Sequence, residues 1–484
     1  MGSWTRMVVL LPFFTSTFCT PLINELEPGK DWPTRGSVKQ PYNQTDDVQD
    51  PIEASTTTSE LVNETPSSGK DELEDITIIA RAAEGNAKVD YSGAQLWKVS
   101  TEKNGVRVIL GRLKRRNLIA TWAGNQTYVD VLIKPNAVAN VTRVFSRENI
   151  SYDIIIDDLQ KRINEENPPL DENEIELQNR RGHRMTWKQY HRLQDIHEFL
   201  DYLATTYPKI VSVNTIGKSY EGRDLKVLRI SNGNPSNKAI FIDGGIHARE
   251  WISPATVTFF INQIAENFAE ESEDFKGIDW YFLPVVNPDG YEYTHLVDRL
   301  WRKNRKPAYA GRACFGTDLN RNFGYRWGGK GASSNPCSEI YRGSRAFSEP
   351  ESRALSEFIK TSAANFSAYL TYHSYGQYLL YPWGYDNAVP PDHKDLDVVG
   401  KNIAEAIQKT GGSKYSVGSS SGLLYPASGG SDDWVKAQGV KYTFTVELSD
   451  TGRYGFILPT TNIEPVARES LAGLRILASY VSKL

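Results

Sequence analysis

At 484 residues the chain is longer than one ordinary domain, and two domains with connecting segments are expected. Hydrophobic residues make up 39% and charged residues 24%, a globular mix, and a formal net charge of -4 argues against nucleic acid as a partner. Composition therefore leaves the function to be read from a site.

Residues 1–20 carry a lone Arg6, an apolar run from Met7 to Phe14 and then the small or polar Ser16, Thr17 and Thr20, the pattern of a secretory signal peptide. No later run is long and apolar enough to span a bilayer. Residues 21–80 are rich in Thr, Ser, Glu, Asp and Pro without a sustained apolar period, and are expected to form a disordered leader. Asn-x-Ser/Thr acceptor sites at Asn43, Asn63, Asn125, Asn140, Asn149 and Asn365 fit a secreted, extracellular protein. Cys19 falls in the signal, which leaves Cys314 and Cys337 as a pair that an oxidising compartment could join, or as two free thiols.

A first folded unit is expected within residues 81–165, where 94–99, 128–133 and 151–156 read as strands around helical stretches, a small α+β domain. Residues 166–184 follow as a polar, Pro-containing linker ending in Asn179-Arg180-Arg181-Gly182-His183-Arg184, an inviting cut site for a trypsin-like protease. From 185 to 484 helices and strands alternate. Helices over 190–207 and 253–270 and strands over 239–243, 280–283, 367–371 and 442–447 argue for an α/β sheet covered by helices.

His247 and Glu250 lie in the loop between strand 239–243 and a helix that Ser253-Pro254 is expected to open, with Ser253 as its cap. Two such residues can grip one cation, but a catalytic zinc takes three protein ligands and keeps a further position open. Of seven histidines, His183, His191 and His197 lie near the linker and first helix, and His295 and His393 in polar surroundings. His373 ends the strand at 367–372, where an α/β sheet presents functional groups. A histidine in that aromatic setting also suits a satisfied core position, so spacing alone leaves the third ligand open.

Longer motifs carry a resemblance. Gly245-Ile-His-Ala-Arg-Glu-Trp-Ile252, Arg299-Leu-Trp-Arg-Lys-Asn-Arg305, Asp318-Leu-Asn-Arg-Asn-Phe323, Ala427-Ser-Gly-Gly-Ser-Asp-Asp-Trp434 and Glu447-Leu-Ser-Asp-Thr-Gly-Arg-Tyr-Gly-Phe456 follow one another in order. Through them residues 88–484 resemble the carboxypeptidase A/B family of zinc metallopeptidases. The resemblance implies a mixed central sheet flanked by helices, preceded by a pro-segment that covers the cleft until it is cut off. It implies one zinc ion held by His247, Glu250 and His373, with Glu447 as general base toward the water that the metal activates. It further implies that Asn320 and Arg321 hold the substrate's α-carboxylate, that Arg302 polarises the scissile carbonyl, that Tyr425 caps the pocket and that Arg249 belongs to the substrate-binding set. Planar guanidinium groups suit these tasks because they pair bidentately with carboxylates and stabilise developing negative charge.

Tyr425 ends the Gly- and Ser-rich stretch 416–425, expected to be a loop able to close over substrate. Asp432 stands at the family's pocket-floor position, where an apolar residue favours apolar termini and an aspartate favours Lys or Arg. Acids here also suit a helix start, a role that Asp433 could fill alone. The expected protein is a secreted zymogen, activated by a trypsin-like protease, that removes C-terminal Lys or Arg from peptides or proteins. The alternatives are preference for apolar termini and an inactive secreted binding homologue. Ser449, Phe323 and the leader depart from the family's usual pattern, and none touches a proposed ligand or the base.

Overall fold

A computed structural model describes residues 88–308 and 314–484. The expected signal segment, the leader and the acceptor sites at Asn43 and Asn63 lie outside these residues.

Strands β1 (Gln95–Ser100), β2 (Ile119–Gly124), β3 (Tyr128–Ile133) and β4 (Tyr152–Ile156) form an antiparallel sheet in the order β2-β3-β1-β4. Helices Val106–Arg115 and Val138–Arg147 cover one face, where Trp97, Val99, Leu110, Val131 and Phe145 make a core. Successive strand residues point to opposite faces, so Leu96, Leu132 and Ile156 look the other way and meet Leu300, Tyr375 and Phe456 of the larger domain. Burial on both faces explains why 128–133 reads as an almost unbroken apolar run. Its one acid, Asp130, is buried with it and is held by the Tyr375 hydroxyl at 2.7 Å and Lys98 Nζ at 3.1 Å.

The segment expected to be a linker is largely helical. Helix Leu159–Glu166 ends in it, and Glu172–Arg180 forms another, opened by Asp171, whose side chain accepts from the Glu174 amide at 2.8 Å. Glu172 and Glu174 sit in its first turn and Arg180 in its last, which offsets the helix dipole. Pro168-Pro169 and the polar composition hid this helix, because one held by a cap and by charge has no apolar period to read. Arg180, Arg181 and Arg184 are all exposed.

Eight strands form the second sheet: β5 (Val211–Lys218), β6 (Asp224–Ile230), β7 (Lys238–Gly244), β8 (Ile278–Leu283), β9 (Asn365–Ser374), β10 (Tyr378–Tyr381), β11 (Ser416–Ser419) and β12 (Tyr442–Leu448). Their order is β11-β10-β12-β9-β7-β8-β6-β5. The central pairs β12–β9, β9–β7 and β7–β8 are parallel, while β10–β12, β8–β6 and β6–β5 are antiparallel, so the sheet is mixed. Helices Leu193–Thr206, Ile252–Asn267, His393–Gly411 and Ile463–Val481 bury one face, through Phe199, Phe260, Ile403 and Leu474 among others. Pro350–Thr361 and Ser431–Ala437 bury the other, where Leu355 and Trp434 join Phe241 and Tyr369.

The stretch 416–425, expected to be a loop throughout, begins as the edge strand β11, paired with β10, and continues as the helical turn Ser420–Leu423. Ser and Gly residues take this conformation from the neighbouring backbone, which no side-chain pattern records. Cys314 and Cys337 form a disulfide with Cα atoms 5.0 Å apart. No helix among the described residues is long and apolar enough to cross a membrane.

Candidate active site

The parallel strands β7, β9 and β12 present their carboxyl ends side by side, and the candidate residues gather there. After β7 the chain turns through Gly244-Gly245. Gly245 has φ +64°, and a Cβ on it would lie 2.9 Å from Pro254 Cγ, so only glycine lets the chain turn so close to the following helix. That helix starts at Ile252, and Ser253 does not cap it as expected. The Ser253 hydroxyl instead accepts from the Gly245 amide at 2.9 Å and donates to the Tyr372 carbonyl at 2.6 Å. The turn carrying His247 and Glu250 is thereby tied to β9 one residue before His373. Glu447 on β12 stands in register with His373.

His247 Nδ1 lies 2.8 Å from Glu250 Oε1, and His373 Nδ1 lies 3.1 Å from both Glu250 Oε2 and His247 Nδ1. The outer nitrogens have their own partners: His247 Nε2 is 3.2 Å from Asp318 Oδ1 and His373 Nε2 is 3.3 Å from Thr371 Oγ1. Although burial opposes it, Arg302 beside Asp318 holds that carboxyl well below the usual range, so Asp318 is an acceptor. His247 then carries its proton on Nε2 and turns the Nδ1 lone pair inward. Two imidazole nitrogens and a carboxylate oxygen, all buried, converge within 4.8 Å of one another. Electron pairs facing one another in this way repel unless a cation lies between them, so the donor set fits a zinc ion. The field agrees: burial disfavours positive charge on His373, yet Glu250, Glu447 and Asp243 outweigh it and raise its affinity for a proton.

Asp318 also accepts from Arg302 Nη2 at 2.8 Å and Nε at 3.1 Å. One carboxylate therefore orients both His247 and Arg302. Asp318→Asn is expected to weaken zinc affinity by about 10- to 100-fold, measured by competition with a chelator. Wild-type affinity in that variant would show that the contact to His247 does not matter.

A single cleft gathers His247, Glu250 and His373 with Glu447, Arg302, Asn320, Arg321, Tyr425 and Asp432. Burial pushes the Glu447 carboxyl up to about 7, with Glu250 adding to the shift and His373 opposing it. Arg321 is pinned through Nε to the Gly331 carbonyl and through Nη1 to the Asn320 carbonyl, both at 2.9 Å. Asn320 Oδ1 accepts from the Ser431 amide at 2.9 Å, which ties this pair to the start of helix Ser431–Ala437. Within that helix Asp432 faces the cleft, while Asp433 accepts from the Gly384 and Tyr385 amides at 2.8 and 2.9 Å. Neither acid caps its own helix, whose N-cap is Gly430. Tyr425 is 52% exposed at the rim and is no core residue. Arg249 does not line the cleft; it lies 4.3 Å over the Phe456 ring and donates to the Leu300 carbonyl.

The first domain roofs this cleft. Trp122, Gly124 and Tyr128 line it, and the Trp122 ring lies 5.0 Å from that of Phe456, itself a lining residue. Asn125 Nδ2 adds a hydrogen bond to the Tyr378 hydroxyl at 3.1 Å. Sequence reasoning did not single out Trp122 or Asp318. Trp122 stands in a strand with no apolar alternation, and Asp318, although inside a motif, shows its partners only in three dimensions.

Residues 196–473 match the family described as Zinc carboxypeptidase, and residues 97–166 match Carboxypeptidase activation peptide. Carboxypeptidase B of Astacus astacus is 46% identical over 298 residues, 61% of this chain and 98% of that protein. Carboxypeptidase B of Rattus norvegicus is 35% identical over 417 residues, 84% of this chain and 98% of its own length, and carboxypeptidase A4 of Mus musculus is 37% identical over 402 residues, 81% and 94%. Among solved structures, thrombin activatable fibrinolysis inhibitor superposes with a TM-score of 0.75 at 34% identity, covering 81% of this chain and 100% of that one. Carboxypeptidase A from Helicoverpa armigera superposes at 0.72 with 28% identity, covering 82% and 99%. Relatives bear both A and B names, so any preference for the terminal residue has to be argued from the pocket.

Proposed function

The chain belongs to the zinc carboxypeptidase family, with an activation-peptide domain ahead of its catalytic domain, and from that premise we propose that it is a secreted zymogen which, once cut, releases C-terminal Lys or Arg from peptides. The observation that carries the preference is Asp432 in the cleft, on the helix whose first amide is held by Asn320. A receptor for the side chain and a clamp for the α-carboxylate thus form one unit. A carboxylate in a partly desolvated pocket attracts a cation, and an apolar guest leaves it unpaired.

One zinc ion belongs with His247, Glu250 and His373, and when bound it supplies Lewis acidity toward the carbonyl and toward water. Arg321, with Nε and Nη1 engaged by backbone carbonyls, offers its remaining edge to the α-carboxylate beside Asn320. Arg302 is held by Asp318 with Nη1 3.8 Å from Glu250 Oε1, and from there it stabilises negative charge growing on the carbonyl oxygen. Glu447 takes the proton from the attacking water and passes it to the leaving amine, two transfers that a carboxylate lining the cleft beside the candidate ligands can make. Tyr425 at the rim covers the bound terminus.

The disulfide between Cys314 and Cys337 supports an oxidising compartment, and Asn140, Asn149 and Asn365 are exposed as sugar acceptors must be. Arg180, Arg181 and Arg184 lie exposed beyond the roofing domain, where a trypsin-like cut would separate it from the catalytic domain. After limited trypsin treatment the protein is expected to release Lys or Arg from short peptides, to lose this activity to a zinc chelator and to regain it with added zinc. Cleaved, zinc-loaded protein that releases no terminal residue would favour an inactive binding protein.

A further inference from the structure

Helix Leu159–Glu166 ends by sending its last side chain into the catalytic domain. Glu166 is 2% exposed and Arg299 is 6% exposed. Glu166 Oε1 and Oε2 receive Arg299 Nη2 and Nε at 2.6 and 2.7 Å, a two-pronged pairing. Arg299 Nη1 and Nη2 also donate to the carbonyls of Arg249 and Phe456, each at 2.8 Å, and the guanidinium lies 3.7 Å over the Trp251 ring. The two carbonyls and the aromatic face that hold the guanidinium thus belong to the catalytic domain itself and do not involve Glu166. What they leave open is the Nε–Nη2 edge, whose fork matches a carboxylate.

Neither residue takes part in the chemistry of the cleft. A cut after Arg180, Arg181 or Arg184 puts Glu166 on the departing fragment and leaves Arg299 on the enzyme. Stripping one member from a buried ion pair leaves a costly uncompensated charge, so the pair resists separation and the vacated fork seeks a replacement. We propose that Arg299 is a carboxylate receptor, filled by Glu166 in the intact chain as the latch of the roofing domain and open to a small carboxylate anion in the cut enzyme. The second half rests on the activation reading above; the first does not.

Glu166→Ala deletes a fragment the size of acetate, so acetate is the probe. In the uncut Glu166→Ala chain, opening of the roofing domain should rise by about a hundredfold or more, read as lost amide-exchange protection over residues 152–166. Acetate, but not chloride at equal ionic strength, should restore protection and raise the melting temperature of this variant while leaving the uncut wild type unchanged. Glu166→Gln, which keeps the shape but not the charge, should open less and ignore acetate. A folded Glu166→Ala chain that ignores acetate overturns the receptor. The cut wild-type enzyme, freed of its fragment, should also gain melting temperature with acetate, and it carries the test if Glu166→Ala does not fold; no gain there overturns the open site. A fragment that stays bound after cutting, seen by gel filtration, would count against the activation reading and leave the latch standing.

Discussion

Glu447→Gln is expected to lower kcat by about a hundred- to ten-thousandfold while zinc content stays at the wild-type level. The amide keeps the size of the carboxylate but cannot take up a proton. Glu447 stands in register with His373 through backbone pairing of β12 and β9, so the substitution leaves the three candidate ligands and their strands in place. KM should move little, because the α-carboxylate is assigned to Arg321 and Asn320, which Glu447 does not position. Steady-state kinetics on a Lys-terminated peptide, with metal analysis of the same sample, checks both halves. A kcat within tenfold of wild type at full zinc loading would remove Glu447 from the role of base.

Asp432→Ile should reduce kcat/KM for C-terminal Lys and Arg by about a thousandfold or more and raise it for Leu and Phe, because a pocket built around a charge rejects a guest that cannot answer it. Asp433 cannot take over. Its two oxygens are engaged by the Gly384 and Tyr385 amides, and burial together with the neighbouring Asp432 lifts its carboxyl well above the usual range. Competition between Lys- and Leu-terminated peptides in one reaction gives the ratio directly. An unchanged preference for Lys and Arg would sink the pocket assignment and with it the B-like reading.

The same residues show how far sequence reasoning reached. His247 and Glu250 were legible as a possible pair from their place after a recognisable strand, and as ligands only through the longer motif around them. His373 stood out less by spacing than through the company of longer motifs. The helix-covered α/β sheet followed from alternating helices and strands and its mixed character from the family resemblance, while Cys314 and Cys337 were legible as a pair, joined or free, once Cys19 was assigned to the signal. Other features stayed hidden. The helix Glu172–Arg180 passed as linker because its support is a cap and a charge pattern, and Ser253 passed as a cap because its hydroxyl's true partners lie on another strand.

Identity and reactivity are local properties, and the chain by itself therefore pointed to the family, the candidate ligands, the candidate base and the acid proposed for the pocket. Partnership is not local. Asp318 reaches His247 across 71 positions and Glu166 reaches Arg299 across 133, and only folding brings such groups within hydrogen-bonding distance. Tertiary structure alone decided which carboxylate orients the metal-side histidine, which aromatic ring roofs the cleft, and which side chain locks the roof down. In each case the energy comes from charges and rings removed from water against a distant partner, and no run of neighbouring residues encodes that partner.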